Sequence, residues 1–159
     1  MRKLFFMLCV IISILIFPLS ICAKDIIYLP EIESWTSQHR QEIPITTVSG
    51  NKGFWIERSY RTDRGTKLNA VWISGLGEKN WKQNELETIN NDGPFGNGST
   101  YKTIKIYHYI ASFEKHPIIG SSLTIKVSPF GTLTLESELA SEEELVSASK
   151  KILDKQGCQ

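Results

Sequence analysis

Alternation of apolar and polar side chains in residues 122–136 constrains the fold of this chain more than any other feature. Every second position in two runs is aliphatic: Leu123, Ile125, Val127, Leu133 and Leu135. A period of two places such side chains on one face of a β-strand. Residues 129–131, Pro-Phe-Gly, separate the runs and are typical of a turn. The segment therefore predicts a β-hairpin with one buried face.

A second hairpin is predicted from residues 54–61 and 67–74. The segment between them contains Gly65, which can adopt the positive φ that short hairpin loops require. Residues 68–73 are largely apolar on both faces, which predicts a strand in the middle of the sheet.

Residues 101–113 form a long extended stretch that we expect to be two strands with a bend near Tyr107 and His108. Isoleucines fall on one side, and aromatic residues fall on the other: Tyr101, Tyr107, Tyr109 and Phe113. A row of aromatic rings is either a platform for a sugar or peptide or the cover for a packed helix. Packing is the favoured interpretation, because large aromatic side chains contribute much of a core's buried area.

The C-terminal region carries the clearest helix signal. Ser141 and Glu144 have the spacing of a capping box, in which each side chain bonds a backbone N–H at the helix start. Acidic residues come first and lysines last, as the helix dipole favours, and Gly157 can end the helix in a left-handed conformation. We expect an amphipathic helix over residues 142–155 whose core positions recur at helical spacing: Leu145, Val146, Ser149, Ile152 and Leu153.

Two shorter helices are weaker predictions. Residues 31–41 place Ile32 and Trp35 on one helical stripe, and residues 81–90 contain Leu86 on a second stripe. The sequence thus predicts an α+β fold. Its antiparallel sheet has about five or six strands and packs against the C-terminal helix and one or two shorter helices.

Residues 90–99 are the most irregular segment, since three glycines and a proline exclude helix and strand. Long loops without secondary structure are uncommon unless they are functional or mobile. We therefore expect a loop that binds a ligand or partner, or else a solvated connector. Its candidate residues are Asn91, Asp92, Phe95 and Asn97, with Phe95 as the apolar tip. Asn97 also begins an N-glycosylation pattern.

Residues 1–23 have the layout of a secretory signal: Arg2 and Lys3, then an apolar run, then small residues before a cleavage site. Pro18 ends the apolar run too early for a spanning helix, which needs roughly 20 apolar residues. We expect cleavage after Ala23, which leaves residues 24–159 as a single domain. The alternative is a lipoprotein with a lipidated Cys22 and thus a membrane anchor.

Charge and cysteine content exclude some classes of protein. The chain has 18 Lys and Arg against 17 Asp and Glu, a formal net charge of +1, and nucleic-acid binding is therefore not expected. Two of the 3 cysteines lie in the signal segment, which leaves Cys158 alone near the C-terminus. The exported domain is then held together by its core rather than by disulfides.

Motifs of catalysis are absent from the sequence. His39, His108 and His116 share no metal-ligand spacing, and no nucleophile or phosphate-loop pattern occurs. His116, followed by a proline, is typical of a turn. Arg58 and Arg61 have opposite parity on a strand and should point to opposite faces. The sequence therefore predicts no catalytic residue, no metal site and no cofactor.

The elements from Tyr101 to Lys155 follow one another in a characteristic order. These are strands around Tyr101, Ile110, Gly120 and Leu133, followed by Ser141-Glu-Glu-Glu-Leu-Val at the helix start. This order resembles the closing half of PsbP-like and DcrB-like exported domains. The resemblance implies an antiparallel sheet flanked by helices and a binding or accessory role without catalysis.

The function predicted from these observations is an exported, non-catalytic binding or accessory module of the cell envelope. Its location would be periplasmic or extracellular, and its partner would be an envelope protein or a small ligand. The alternative is a small secreted hydrolase or metal-dependent enzyme with an unrecognised site. A concave pocket lined by a histidine and a carboxylate would favour that enzyme.

Overall fold

One antiparallel sheet and one helix make up the part of the chain that the structure describes. This computed structural model describes residues 28–75, 77, 88–91 and 98–157, with the backbone alone at 88–91. The strands are β1 (Thr36–Ser37), β2 (Gln41–Thr47), β3 (Gly50–Arg61), β4 (Lys67–Gly75), β5 (Thr88–Asn91), β6 (Ser99–Ile106), β7 (Tyr109–His116), β8 (Gly120–Ser128) and β9 (Gly131–Ser137). The helix α1 spans Glu142–Gln156.

The sheet has nine strands, of which eight follow the order β1-β3-β4-β9-β8-β7-β6-β5 while β2 also pairs with β3. All pairings within this sheet are antiparallel. The β3–β4 loop and the β7–β8 turn lie at the same end of the sheet as the start of α1, and we call this the upper end. The central pair β4–β9 joins the two hairpins predicted from the alternation.

Alternating side chains divide the sheet into a covered face, which carries α1, and an open face. On the covered face the aliphatic residues of β8 and β9 are fully buried: Leu123, Ile125, Leu133 and Leu135. They meet the buried face of α1: Leu145, Ala148, Ser149, Ile152 and Leu153. The open face carries mainly hydroxyl and charged side chains, because the intervening positions of the same strands point there.

The N-terminal segment 28–35 covers the part of this face that α1 does not reach. Leu29 is fully buried, and the Tyr28 ring lies 4.6 Å from the ring of Trp72, centroid to centroid. The Tyr60 hydroxyl donates to the Pro30 carbonyl at 2.8 Å. Burial raises the pKa of Tyr60 to about 12, so this phenol stays protonated and remains a donor. The segment is therefore part of the core.

Several sequence predictions are confirmed. Both hairpins form with Gly65 at φ 83°, the strand β4 lies inside the sheet, and the chain bends at Tyr107 with φ 55°. Helix α1 has the predicted capping box, with Ser141 accepting from the Glu144 amide, and Gly157 is left-handed. Of the core positions predicted in the helix and in the hairpin of residues 122–136, Val146 and Val127 are half-buried rather than buried.

The predicted fold class is wrong in its proportions. The sheet is larger than expected, and α1 is the single helix within the described residues. Residues 31–41 form a turn and the strand β1 instead of a helix, because Ser34 is left-handed at φ 69° and residues 36–37 pair with β3. Burial of Ile32 and Trp35 against the sheet thus overrides their helical spacing.

Two further strands, β2 and β5, were not predicted from the sequence, and the reason differs for each. β2 is exposed along its whole length and contains Pro44, so the sequence shows no one-sided alternation there. A proline is tolerated in β2 because the strand lies at a sheet edge. Thr88–Asn91 pairs with β6, which contradicts the end of the helix predicted over 81–90, while residues 81–87 lie outside the described part.

Across the described ranges, no helix has the length and apolar character needed to cross a membrane.

Candidate binding groove

An open groove of about 940 Å³ lies at the upper end of the open face. We call it the rim groove and define it by six lining residues: Ser59, Arg61, Lys67, Asn69, Ile119 and Leu139. Its floor consists of the last residues of β3 and the first of β4. Its two lips are the β7–β8 turn and the segment that joins β9 to α1.

The floor of the rim groove offers both donors and acceptors. The Ser59 hydroxyl donates to Asn69 Oδ1 at 3.3 Å, and Arg61 donates to the Gly65 carbonyl at 3.2 Å. Arg61 and Lys67 lie directly opposite each other in the β3–β4 register, an arrangement that is unfavourable for like charges. Neither forms an ion pair with a carboxylate of the described residues. This positive pair is therefore available to a negatively charged group.

Acidic groups balance these cations around the groove. Glu136 and Glu138 line the same space as Arg61 and Lys67. At the start of α1, hydrogen bonds from the Ser141 amide and the Thr66 hydroxyl lower the pKa of Glu144, with a smaller contribution from Arg64. The rim groove is consequently polar and of mixed charge, rather than a dedicated anion site.

A histidine side chain holds one lip. His116 Nδ1 accepts hydrogen bonds from the amides of Ile118 and Ile119, each at 3.1 Å. Pro117, which separates His116 from them, has no N–H to donate. A side chain that accepts from amides two and three residues ahead stabilises a tight turn. Gly120 then returns the chain to β8 with φ 98°, paired with His116.

Ser137 holds the other lip in the same way. Its hydroxyl accepts from the amides of Leu139 at 3.4 Å and Ala140 at 3.1 Å, and it donates to the Lys67 carbonyl at 2.7 Å. This last bond ties the lip to the floor of the groove. The two lips thus have the same construction, with one side chain accepting from two consecutive backbone amides.

The residues displayed by these lips are large and apolar. Ile118, Ile119 and Leu139 are 83%, 71% and 90% exposed. A single exposed aliphatic side chain is ordinary on a protein surface, but three on adjacent loops beside a groove are typical of a contact surface. The close approach of the loops is fixed at Gly120, where an added Cβ would lie 2.3 Å from the Ser137 carbonyl oxygen.

The described residues on either side of the predicted binding loop lie at this end of the sheet. Asn91 lies in β5 and pairs with Ser99, so these two residues belong to strands and not to the predicted loop. Asp92, Phe95 and Asn97 lie outside the described residues, and their role in binding stays a prediction. On the far side of the loop, a Cβ added to Gly98 would lie 3.7 Å from Pro117 Cγ.

The remaining candidates from the sequence are dispersed. Arg58 has a side chain 10% exposed, placed on the covered face toward Glu31, whereas Arg61 lies on the open face; the parity argument is confirmed. Within the ranges described, no group of three His, Cys, Asp or Glu residues is arranged to hold a metal ion. Sequence reasoning missed Ile119, Leu139 and Ser137. The only local signal was a pair of isoleucines after His116-Pro117, where a solvated turn would ordinarily be polar.

Comparisons of the chain with protein-family models, with curated proteins and with solved structures gave no match.

Proposed function

We propose that this protein is an exported, non-catalytic binding or accessory module of the cell envelope that holds a partner protein or a small ligand at the rim groove. The observation that carries this proposal is the exposure of Ile118, Ile119 and Leu139 beside a groove of mixed charge. An apolar centre with a polar rim is the usual composition of a protein contact surface. The resemblance of residues 101–155 to PsbP-like and DcrB-like domains supports the same accessory role.

Export is the second part of the proposal. The layout of residues 1–23 supports a cleaved signal, so the exported chain should begin at Lys24. Intact-mass measurement of periplasmic or secreted protein tests this start. A chain beginning with a diacylglycerol-modified Cys22 would instead support the lipoprotein, and a full-length chain in the membrane fraction would contradict both.

Binding at the groove is tested with a double variant, Ile119→Ser with Leu139→Ser. The matched control is Ile43→Ser, because Ile43 is 55% exposed and lies on β2 away from the groove. All three changes are at exposed positions and should alter the free energy of unfolding by less than about 0.5 kcal/mol each. Thermal unfolding of each variant checks that the fold is intact.

Two measurements test binding, one for each class of partner. Retention of envelope proteins on the immobilised domain detects a protein partner, and native mass spectrometry of purified protein detects a retained small ligand. We expect the double variant to lose at least about tenfold in retention, as for two central contact residues, while Ile43→Ser binds like the wild type. Equal binding by wild type and double variant would contradict the assignment to the rim groove.

A further inference from the structure

The hydrogen bonds at His116 define its protonation state. Nδ1 lies 3.1 Å from the amide nitrogens of both Ile118 and Ile119, and a backbone amide is a donor only. Nδ1 must therefore act as the acceptor and carry no proton. This geometry fits the tautomer that carries its proton on Nε2.

A second proton on the ring would remove both bonds. Protonation at Nδ1 creates a second ring N–H, which points at two amide donors and meets no acceptor there. The Ile118 and Ile119 side chains are exposed, so they provide little packing to hold the turn in place. The hydrogen bonds that the structure shows for this turn are the two to the ring and those of the His116–Gly120 pair.

We infer that His116 is a pH-sensitive cap that holds the turn of residues 117–119 while the imidazole is neutral and releases it when the imidazole is protonated. Ile119 lines the rim groove, so release of the turn changes one lip of the groove. This consequence rests on the proposed function, whereas the cap itself is a property of the free protein. The opposite lip is held by the Ser137 hydroxyl. A serine hydroxyl does not change its protonation state at the pH values at which an imidazole does.

The charged groups around His116 come from its own strand and from β9. On β7, Lys115 is adjacent and Glu114 lies on the same face of the strand. From the β9 side, the backbone of Glu138 packs against Gly120, the partner of His116. On β6, the uncharged Thr100 is the partner of Lys115, the residue before His116. Within the described residues His116 forms no ion pair, so no contacting carboxylate compensates for the lost amide bonds.

The test measures the ring and the amides of the free protein by NMR across the titration of His116. The matched control is His116→Asn, because an asparagine Oδ1 accepts from the same two amides and does not titrate. The Ala140 amide, bonded to Ser137 at 3.1 Å, is an internal control in both proteins. Hydrogen-exchange protection is expressed relative to the intrinsic rate at each pH.

We expect the imidazole nitrogen shifts of the neutral wild type to show the Nε2–H tautomer. The protection of the Ile118 and Ile119 amides should fall about fivefold or more as the ring protonates, as expected for lost hydrogen bonds. Protection should stay constant in His116→Asn and at Ala140.

Two results would overturn the inference: an Nδ1–H tautomer in the neutral wild type, or an equal fall in protection in His116→Asn. Neither result depends on a bound partner. The cap can therefore be confirmed even where the double variant at the groove binds normally, and the two proposals fail separately.

Discussion

The two faces of the sheet are built from the same strands, yet they have opposite roles. In β8 and β9 the covered positions Leu123, Ile125, Leu133 and Leu135 are fully buried, whereas the alternate positions are hydroxyl or charged side chains. Burial of large aliphatic side chains contributes most of the stability of a domain. In these two strands the covered face therefore stabilises the protein, whereas the open-face side chains can vary with little effect on folding.

The largest effect should come from the pair Leu123→Ala and Ser122→Ala, two neighbours on opposite faces of β8. Leu123 is 0% exposed, so truncation should lower the free energy of unfolding by about 2–5 kcal/mol. Ser122→Ala should change it by less than about 0.5 kcal/mol. Urea denaturation of both variants measures the difference. Similar losses in the two variants would mean that the open face is also core.

A second comparison separates backbone strain from backbone crowding at two loops of the upper end. Gly120 and Gly65 both have positive φ, but only at Gly120 would an added Cβ meet backbone, at 2.3 Å from the Ser137 carbonyl. Gly65→Ala should cost about 1–2 kcal/mol through the left-handed conformation alone. Gly120→Ala should cost about 3 kcal/mol or more, because the two lips must also move apart. Equal costs by thermal denaturation would indicate that the lips are not closely packed.

A smaller effect is expected at the start of α1. Ser141→Ala removes the hydroxyl that accepts from the Glu144 amide at 3.2 Å and should cost about 1 kcal/mol. Ser141→Asp keeps an acceptor and serves as the control, with a stability near that of the wild type. The free energy of unfolding in urea measures both. A loss as large as that of Leu123→Ala would show that Ser141 has a role beyond capping.

The smallest effect is a pH dependence from Glu144, whose pKa is lowered in the folded state by hydrogen bonds from Ser141 and Thr66. A carboxyl group with a lowered folded pKa contributes stability above its unfolded pKa, about 4.3, and this contribution is lost as the pH falls through the folded pKa. Glu144→Gln keeps the capping box without the charge. The stability of the wild type relative to this variant should therefore decrease below about pH 4. A constant difference down to pH 2 would contradict the role of the charge.

Local patterns in the sequence were sufficient for the elements that are buried on one side. Three local features predicted a strand pair, a helix start and a hairpin loop, and all three predictions are confirmed. They are the alternation in residues 122–136, the spacing of Ser141 and Glu144, and Gly65. The sequence failed where contacts with distant residues decide the conformation. Residues 31–41 have helical spacing but bury Ile32 and Trp35 against the sheet, and β2 is exposed on both sides and carries no period at all.

The rim groove depends on tertiary structure for a similar reason. The sequence by itself determined that His116-Pro117 is a turn, that Arg61 faces away from Arg58, and that one face of the hairpins is buried. Only the strand order β4-β9-β8-β7 brings Ile119 and Leu139 to the same groove as Arg61 and Lys67. The hydrogen bonds that hold the two lips were equally hidden, because the direction of a side-chain acceptor follows from the folded backbone and not from residue type. Local chemistry thus determined the elements, and the pairing of strands far apart in the sequence decided which side chains meet.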